Sequence, residues 1–152
     1  MLTSKSIDDR EEALNLINNW RTNHLHPLVT LKNSLLRLLS KTNIVPILVS
    51  QRLKRLSSIE YKLDLNPDMG LGGMQDIGGF RAVLKDVKDL EKLKKALINQ
   101  RTPHKLERVV DYVSLPKNTG YQSIHFVYKY TSRKDDFDGL KLELQIRTKL
   151  QH

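Results

Sequence analysis

Along "LKLELQIRT" (140–148), Leu140, Leu142, Leu144 and Ile146 alternate with Lys141, Glu143, Gln145 and Arg147. That two-residue period predicts a half-buried strand. "SIHFVYKYT" (123–131) carries Ile124, Phe126, Tyr128 and Tyr130 on one side and Ser123, His125, Val127 and Lys129 on the other. The polar turn joining the two contains Asp138-Gly139, a hairpin signal. "IVPILVSQRLK" (44–54), "FRAVLKD" (80–86) and "LERVVDYV" (106–113) read as further strands.

Helical spacing governs elsewhere. Ser6 is placed to cap a first helix, with Asp8, Asp9, Glu11 and Glu12 near its positive end. Ala13, Leu16, Ile17 and Trp20 form its apolar stripe, and Trp20 reads as core. Pro27 suits the first turn of a second helix bearing Leu28, Leu31, Leu35, Leu38 and Leu39. These two helices are expected to lie antiparallel over a sheet. "SSIEYKL" (57–63) predicts a short helix ending before Asn66-Pro67. "VKDLEKLKKALINQ" (87–100) predicts an amphipathic one on Val87, Leu90, Leu93, Ala96 and Leu97. That helical crossover suggests that the strands at 80–86 and 106–113 pair in parallel. With no repeat or low-complexity stretch, one α+β domain over 1–152 is expected, with a helical part at 1–43 and a sheet at 44–152.

Charge narrows the function. Against 17 Asp and Glu stand 26 Lys and Arg, a net +9 that draws anions such as nucleotides or nucleic acid, or simply keeps the surface solvated. The absence of cysteine excludes disulfides, thiolate nucleophiles and Cys-based zinc sites. "MLTSKSIDDREE" has no apolar signal core, and no stretch approaches a membrane span, so a cytoplasmic protein is expected. "QIRTKLQH" stops without a turn residue or polar tail, as an interrupted element would.

Two carboxylates stand out. Glu143 is the single acid on a polar face made mostly of cations, with His125 and Gln145. It suits a general base, a metal ligand or a structural ion-pair partner. Asp76 lies just upstream of the strand carrying Arg81, while Arg52 and Lys54 share a face of theirs. If these strands lie close, Asp76 and Glu143 could hold one Mg²⁺, which takes carboxylate and phosphate oxygens. Arg and Lys would then neutralise the remaining phosphate charge.

The glycine-rich "GLGGMQDIGGFRAV" (70–83) is no known phosphate cradle. It lacks GxxxxGK[ST], and Gln75 stands where the last glycine of GxGxxG is due. Gly78 and Gly79 are expected to let the backbone approach a ligand or a neighbouring strand, while Gly70, Gly72 and Gly73 form a lid or a simple loop. His24, His26, His104, His125 and His152 show no metal-ligand spacing, and His24 and His26 read as surface residues. No serine sits in a nucleophile elbow.

Four segments in register resemble the RelA/SpoT alarmone synthetase domain: "RLKRLSSIEYKL" (52–63), "MQDIGGFRAV" (74–83), "KNTGYQSIH" (117–125) and "LELQIRT" (142–148). The resemblance implies a nucleotidyltransferase-like mixed β-sheet flanked by helices. It also implies (p)ppGpp synthesis in the stringent response, with pyrophosphate moving from ATP to the 3′-hydroxyl of GDP or GTP, Mg²⁺ bound and AMP released. Asp76 and Glu143 would ligate Mg²⁺, with Glu143 alternatively taking the proton of the attacking hydroxyl and Gln145 orienting that group. Arg52 and Arg81 would stack on the adenine, and Lys54 and Lys62, with Ser58 nearby, would hold the ATP phosphates. Tyr121 would stack on the acceptor base, and His125 and Arg147 would contact phosphate or support the site.

Some positions depart from the family pattern. Thr119 directly precedes the Gly-Tyr pair, with Asn118, the acceptor-side asparagine, one residue earlier than in the family. Val110 stands where many members have Lys. Both changes lie on the acceptor side. Family members usually continue past "RTKLQH" with a helix over the sheet, so a small single-domain member or a fragment is expected. Two other readings stay open: a toxin-like relative acting on the 3′ end of tRNA or another nucleotide, and a basic nucleotide-binding module without catalysis. A homo-oligomer is also left open.

Overall fold

The computed structural model describes residues 4–66, 68, 70, 73–114 and 123–149. In chain order the elements are α1 (Ser4–Thr22), α2 (Leu25–Lys41), β1 (Leu48–Leu53), α3 (Leu56–Leu65), β2 (Gly78–Leu84), α4 (Val87–Asn99), β3 (Lys105–Asp111), β4 (Ile124–Lys129) and β5 (Lys141–Thr148). The strands form one five-stranded mixed sheet, ordered β1-β2-β5-β4-β3, in which only β2 and β5 pair in parallel. This is the expected α+β fold. No described helix is long and apolar enough to cross a membrane.

The alternation of β5 decides its place. Leu142, Leu144 and Ile146 are fully buried, whereas β3 is half exposed along its length. β5 therefore sits in the interior and β3 at an edge. The parallel pairing expected between β2 and β3 does not form. The two run in the same direction, but β5 and β4 lie between them, and α4 carries the chain over the sheet to its far edge.

α2 and α4 cover one face. Leu28, Leu31, Leu35 and Leu39 of α2 and Leu90, Leu93 and Leu97 of α4 pack on Phe80, Phe126, Leu142 and Leu144. Asp86 caps α4, its carboxylate accepting from the Asp89 N–H at 2.9 Å. β1 begins later than the sequence pattern suggests, since Pro46 has no N–H for the ladder. Ile47 nevertheless extends the pairing by one bond to the Val83 carbonyl, 2.8 Å away.

Three expectations at the N-terminus are corrected. α1 begins at Ser4, so Ser6 lies inside the helix rather than capping it. α1 does not share the sheet with α2. It leans on α3, where Ile17 and Trp20 close a second small core of Ile59, Met74 and Ile77. Its stripe is too narrow to cover more, and Leu16 remains 65% exposed. Trp20 touches both cores, as a core residue should. His24 is buried rather than at the surface. Its Nδ1 lies 2.8 Å from the Trp20 carbonyl and its ring meets the Trp20 ring edge-on.

Gly78 explains how close α2 comes to the sheet. A Cβ there would lie 2.6 Å from Leu142 Cδ1 and 3.5 Å from His24 Cβ. The close approach thus serves helix and strand packing. Gly79, one residue on, turns to the opposite face.

Candidate active site

The face opposite α2 and α4 is polar, and strand register builds it. Arg52 pairs with Gly79, which pairs with Glu143. In the next row Ser50 pairs with Arg81, Arg81 with Gln145, and Gln145 with His125. Because side chains in laterally paired positions point the same way, four strands deliver Arg52, Arg81, Glu143, Gln145 and His125 to one surface. Asp76 joins them from the segment entering β2. A cavity of about 260 Å³ is lined by Arg52, Asp76, Arg81, Glu143 and Gln145 over a floor at Gly79. A Cβ at Gly79 would meet only the Glu143 carbonyl, at 3.6 Å.

Asp76 is held by two lysines. Lys54 Nζ lies 2.9 Å from its Oδ2, and Lys62 Nζ lies 3.7 Å from its Oδ1. The Lys54 backbone is pinned from both sides, its N–H donating to the Ile77 carbonyl and its own carbonyl accepting from Arg21 Nε at 2.6 Å. Burial acts to raise the Asp76 pKa, but the Lys54 hydrogen bond and charge, with Lys62 behind them, hold it below the ordinary value. Its Oδ1 is buried and accepts no hydrogen bond. Lys54 and Lys62 also line a neighbouring recess of about 390 Å³ together with Ser58 and Tyr61.

Glu143 is held by a chain of side chains. Its Oε1 lies 3.1 Å from His125 Nδ1 and accepts from Gln145 Nε2 at 2.8 Å. Gln145 Oε1 in turn accepts from Arg147 at 2.9 Å, and His125 Nε2 meets Ser123 Oγ at 2.7 Å. Burial raises the Glu143 pKa, and so does the nearby charge of Asp76. The His125 and Gln145 hydrogen bonds outweigh both and bring it below the ordinary value. Both acids are therefore ionised at neutral pH, within electrostatic reach of each other. Two carboxylates of that kind suit a hard divalent cation that takes its remaining oxygens from phosphate and water. The orphaned Oδ1 of Asp76 fits such an ion. Among the described residues no group of three or more His, Cys, Asp or Glu could bind a metal unaided.

Of the residues singled out from sequence, Arg52, Lys54, Ser58, Lys62, Asp76, Arg81, His125, Glu143, Gln145 and Arg147 thus belong to one connected region. Asn118 and Tyr121 lie outside the described residues, as does Thr119. Sequence reasoning missed Arg21, which pins the Lys54 carbonyl from α1, and Ser123, fully buried behind His125. Ser123 carries a weak sequence signal, since it shares the His125 side of its strand. Nothing in the sequence marks Arg21.

The model of the "Region found in RelA / SpoT proteins" matches residues 51–152. A chloroplastic protein of Arabidopsis thaliana, named as a probable GTP diphosphokinase, is 37% identical over 117 residues, which is 75% of this chain and 15% of that one. The chain spans 8% to 15% of the length of the curated relatives it matches. Among solved structures, the GTP pyrophosphokinase family protein of Streptococcus pneumoniae has a TM-score of 0.74 at 22% identity, covering 92% of this chain and 71% of that one. The small alarmone synthetase 1 of Bacillus subtilis, bound to its product pppGpp, has a TM-score of 0.72 at 26% identity, covering 83% and 70%. The matched region contains Asp76, Glu143 and every side chain that holds them except Arg21 on the Lys54 carbonyl, and the chain belongs to the RelA/SpoT family.

Proposed function

We propose that the chain transfers pyrophosphate from ATP to the 3′-hydroxyl of GDP or GTP. The observation that carries this reading is the meeting of Asp76 and Glu143 on one cavity between Arg52 and Arg81, with Lys54 and Lys62 alongside. The acceptor oxygen attacks the β-phosphorus of ATP. The new O–P bond forms as the bond from that phosphorus to the α–β bridging oxygen breaks, and AMP leaves with the electron pair. The acceptor's proton passes to a carboxylate or to water.

The chain's side chains do the positioning and neutralising on which such transfers depend. Arg52 and Arg81, which pair with neighbouring positions across β1, β2 and β5, clamp the adenine. Such cation–π contacts contribute roughly 0.5–2 kcal/mol each. Lys54 and Lys62 turn from Asp76 to the triphosphate as it enters. Asp76 and Glu143 would hold Mg²⁺, which would lower the charge on the phosphates and screen the leaving oxygen. The depressed pKa of Glu143 suits ligation better than proton uptake, because a weak base removes a hydroxyl proton poorly.

The test is incubation with γ-labelled ATP and Mg²⁺, offering GDP, GTP or deacylated tRNA. Label moving to a guanine nucleotide, with AMP formed in equal amount, is the expected result. Label on tRNA, or on none of the three, overturns the proposal.

A further inference from the structure

A second cleft lies on the helix-covered side of the sheet, between the C-terminal ends of α2 and α4, and shares no lining residue with the Asp76 cavity. It encloses about 890 Å³. Lys41 reaches it from the last turn of α2, Arg37 from one turn earlier, and Arg101 from the segment leading to β3. All three are exposed, no Asp or Glu lines the cleft, and among the described residues none of the three is ion-paired. An anion entering there meets positive charge without a competing carboxylate.

The cleft continues inward. Ser34, Gln100 and Thr102 line both it and a narrow recess that ends against Phe80, Tyr128 and Leu144 of the sheet. Tyr128 is 3% exposed, and its hydroxyl is buried without a partner in hydrogen-bond geometry. The Gln100 side chain interacts with it but does not complete a bond. Burial pushes this hydroxyl up to about 12, against the weaker opposing effect of Gln100, so it stays protonated and offers a donor. Buried hydroxyls left unpaired are costly, and in native proteins a ligand or water usually satisfies them.

We propose that this cleft is a second binding site, for a small phosphorylated ligand. Its phosphate rests among Arg37, Lys41 and Arg101, and its polar end reaches the Tyr128 hydroxyl. Guanidinium forks match phosphate oxygens in two-pronged hydrogen bonds. A cleft of this size takes a nucleoside monophosphate. The recess beneath the cationic rim is about 20 Å³ and lined mostly by apolar side chains, so it admits only one small terminal group of such a ligand.

Calorimetric titration of the whole chain with AMP, and separately with inorganic pyrophosphate, tests this and tells a nucleotide from bare phosphate. Arg37→Glu/Arg101→Glu disables the rim at two exposed positions that leave the core untouched. Arg52→Ala/Asp76→Ala disables the other face of the sheet. We expect AMP binding that survives the second pair and weakens roughly tenfold or more with the first, the loss typical of a charge-assisted contact. Tyr128→Phe weakens AMP and leaves pyrophosphate unchanged. If only pyrophosphate binds, with the same dependence on Arg37 and Arg101, the site holds phosphate but the inner contact is refuted. Equal AMP affinity in Tyr128→Phe likewise refutes that contact. Loss of both probes in Arg52→Ala/Asp76→Ala, or binding indifferent to Arg37→Glu/Arg101→Glu, overturns the site.

Discussion

Lys54 Nζ and Asp76 Oδ2 lie 2.9 Å apart, so the acid proposed to hold a metal is neutralised by a cation proposed to hold phosphate. Lys54 helps to keep Asp76 ionised. Lys54→Met removes the largest of the influences that lower the Asp76 pKa, leaving only Lys62 and a backbone hydrogen bond to oppose burial. The Asp76 carboxyl should then titrate at higher pH than in the parent protein, and the acid limb of the pH–rate profile should move up with it. Carbon NMR of that carboxyl in the ligand-free chain measures the shift. An unmoved titration would mean that Lys54 does not hold Asp76 in solution.

Asp76→Ala and Glu143→Ala should each fold normally and lose pyrophosphate transfer by roughly a thousandfold or more, the scale of removing a principal electrostatic group from a transfer site. Neither residue belongs to the apolar cores, and removing either relieves repulsion from the other. Parent-like circular dichroism with no labelled product is the expected pair of results. Near-normal transfer by either variant refutes the assignment.

The sequence made one half of this site readable and concealed the other. The strict alternation of β5 announced which side of that strand Glu143, Gln145 and Arg147 occupy, because period two in a half-buried strand leaves no second solution. It could not say that β2 would be β5's parallel neighbour. Strand order depends on which apolar faces α2 and α4 cover together, a sum over distant residues that no local pattern encodes. His24 illustrates the same limit. In an apparent loop it reads as a surface residue, yet it follows Trp20 by four positions, and that helical spacing is the signal of burial.

Gln145 links Arg147 to Glu143, accepting from the one at 2.9 Å and donating to the other at 2.8 Å. Gln145→Leu keeps the size and breaks both bonds. Glu143 then loses one of the hydrogen bonds that lower its pKa and one of the contacts that fix its oxygen. Turnover should fall roughly tenfold to a hundredfold, with KM for ATP nearly unchanged, since misplacing a reacting group mainly costs the chemical step. A rise in KM at constant kcat would instead place Gln145 in substrate binding.

Gly78 is where α2, β2 and β5 meet. Gly78→Ala places a methyl 2.6 Å from Leu142 Cδ1, and Leu142 is fully buried, so the Leu142 side chain or the elements around it must shift. Overpacking of this kind costs roughly 1–3 kcal/mol. Urea unfolding should show that loss, and Ile77, the one residue between Gly78 and Asp76, should carry part of the shift into the site as reduced turnover. Gly70→Ala, with nothing within 4 Å of its added methyl, serves as the control.

His24 gives the fold a dependence on pH that the carboxylates do not. Burial lowers its pKa from 6.5, outweighing the backbone contacts with Trp20 and Arg21 that raise it. As pH falls, the unfolded chain takes up this proton first, so its stabilising effect is complete above about pH 6.5 and is lost progressively below it. His104 shifts in the same direction through burial and contributes on the same side. Asp76, Asp111 and Glu143, all lowered, lose their contributions only in the more acidic range of carboxylate titration. His24→Asn retains a donor for the Trp20 carbonyl but has no titrating ring. Urea midpoints measured from about pH 5 to about pH 8 should rise with pH in the parent and rise less steeply in the variant. Equal slopes would mean that His24 takes up its proton as readily in the folded chain as in the unfolded one, and would refute the prediction.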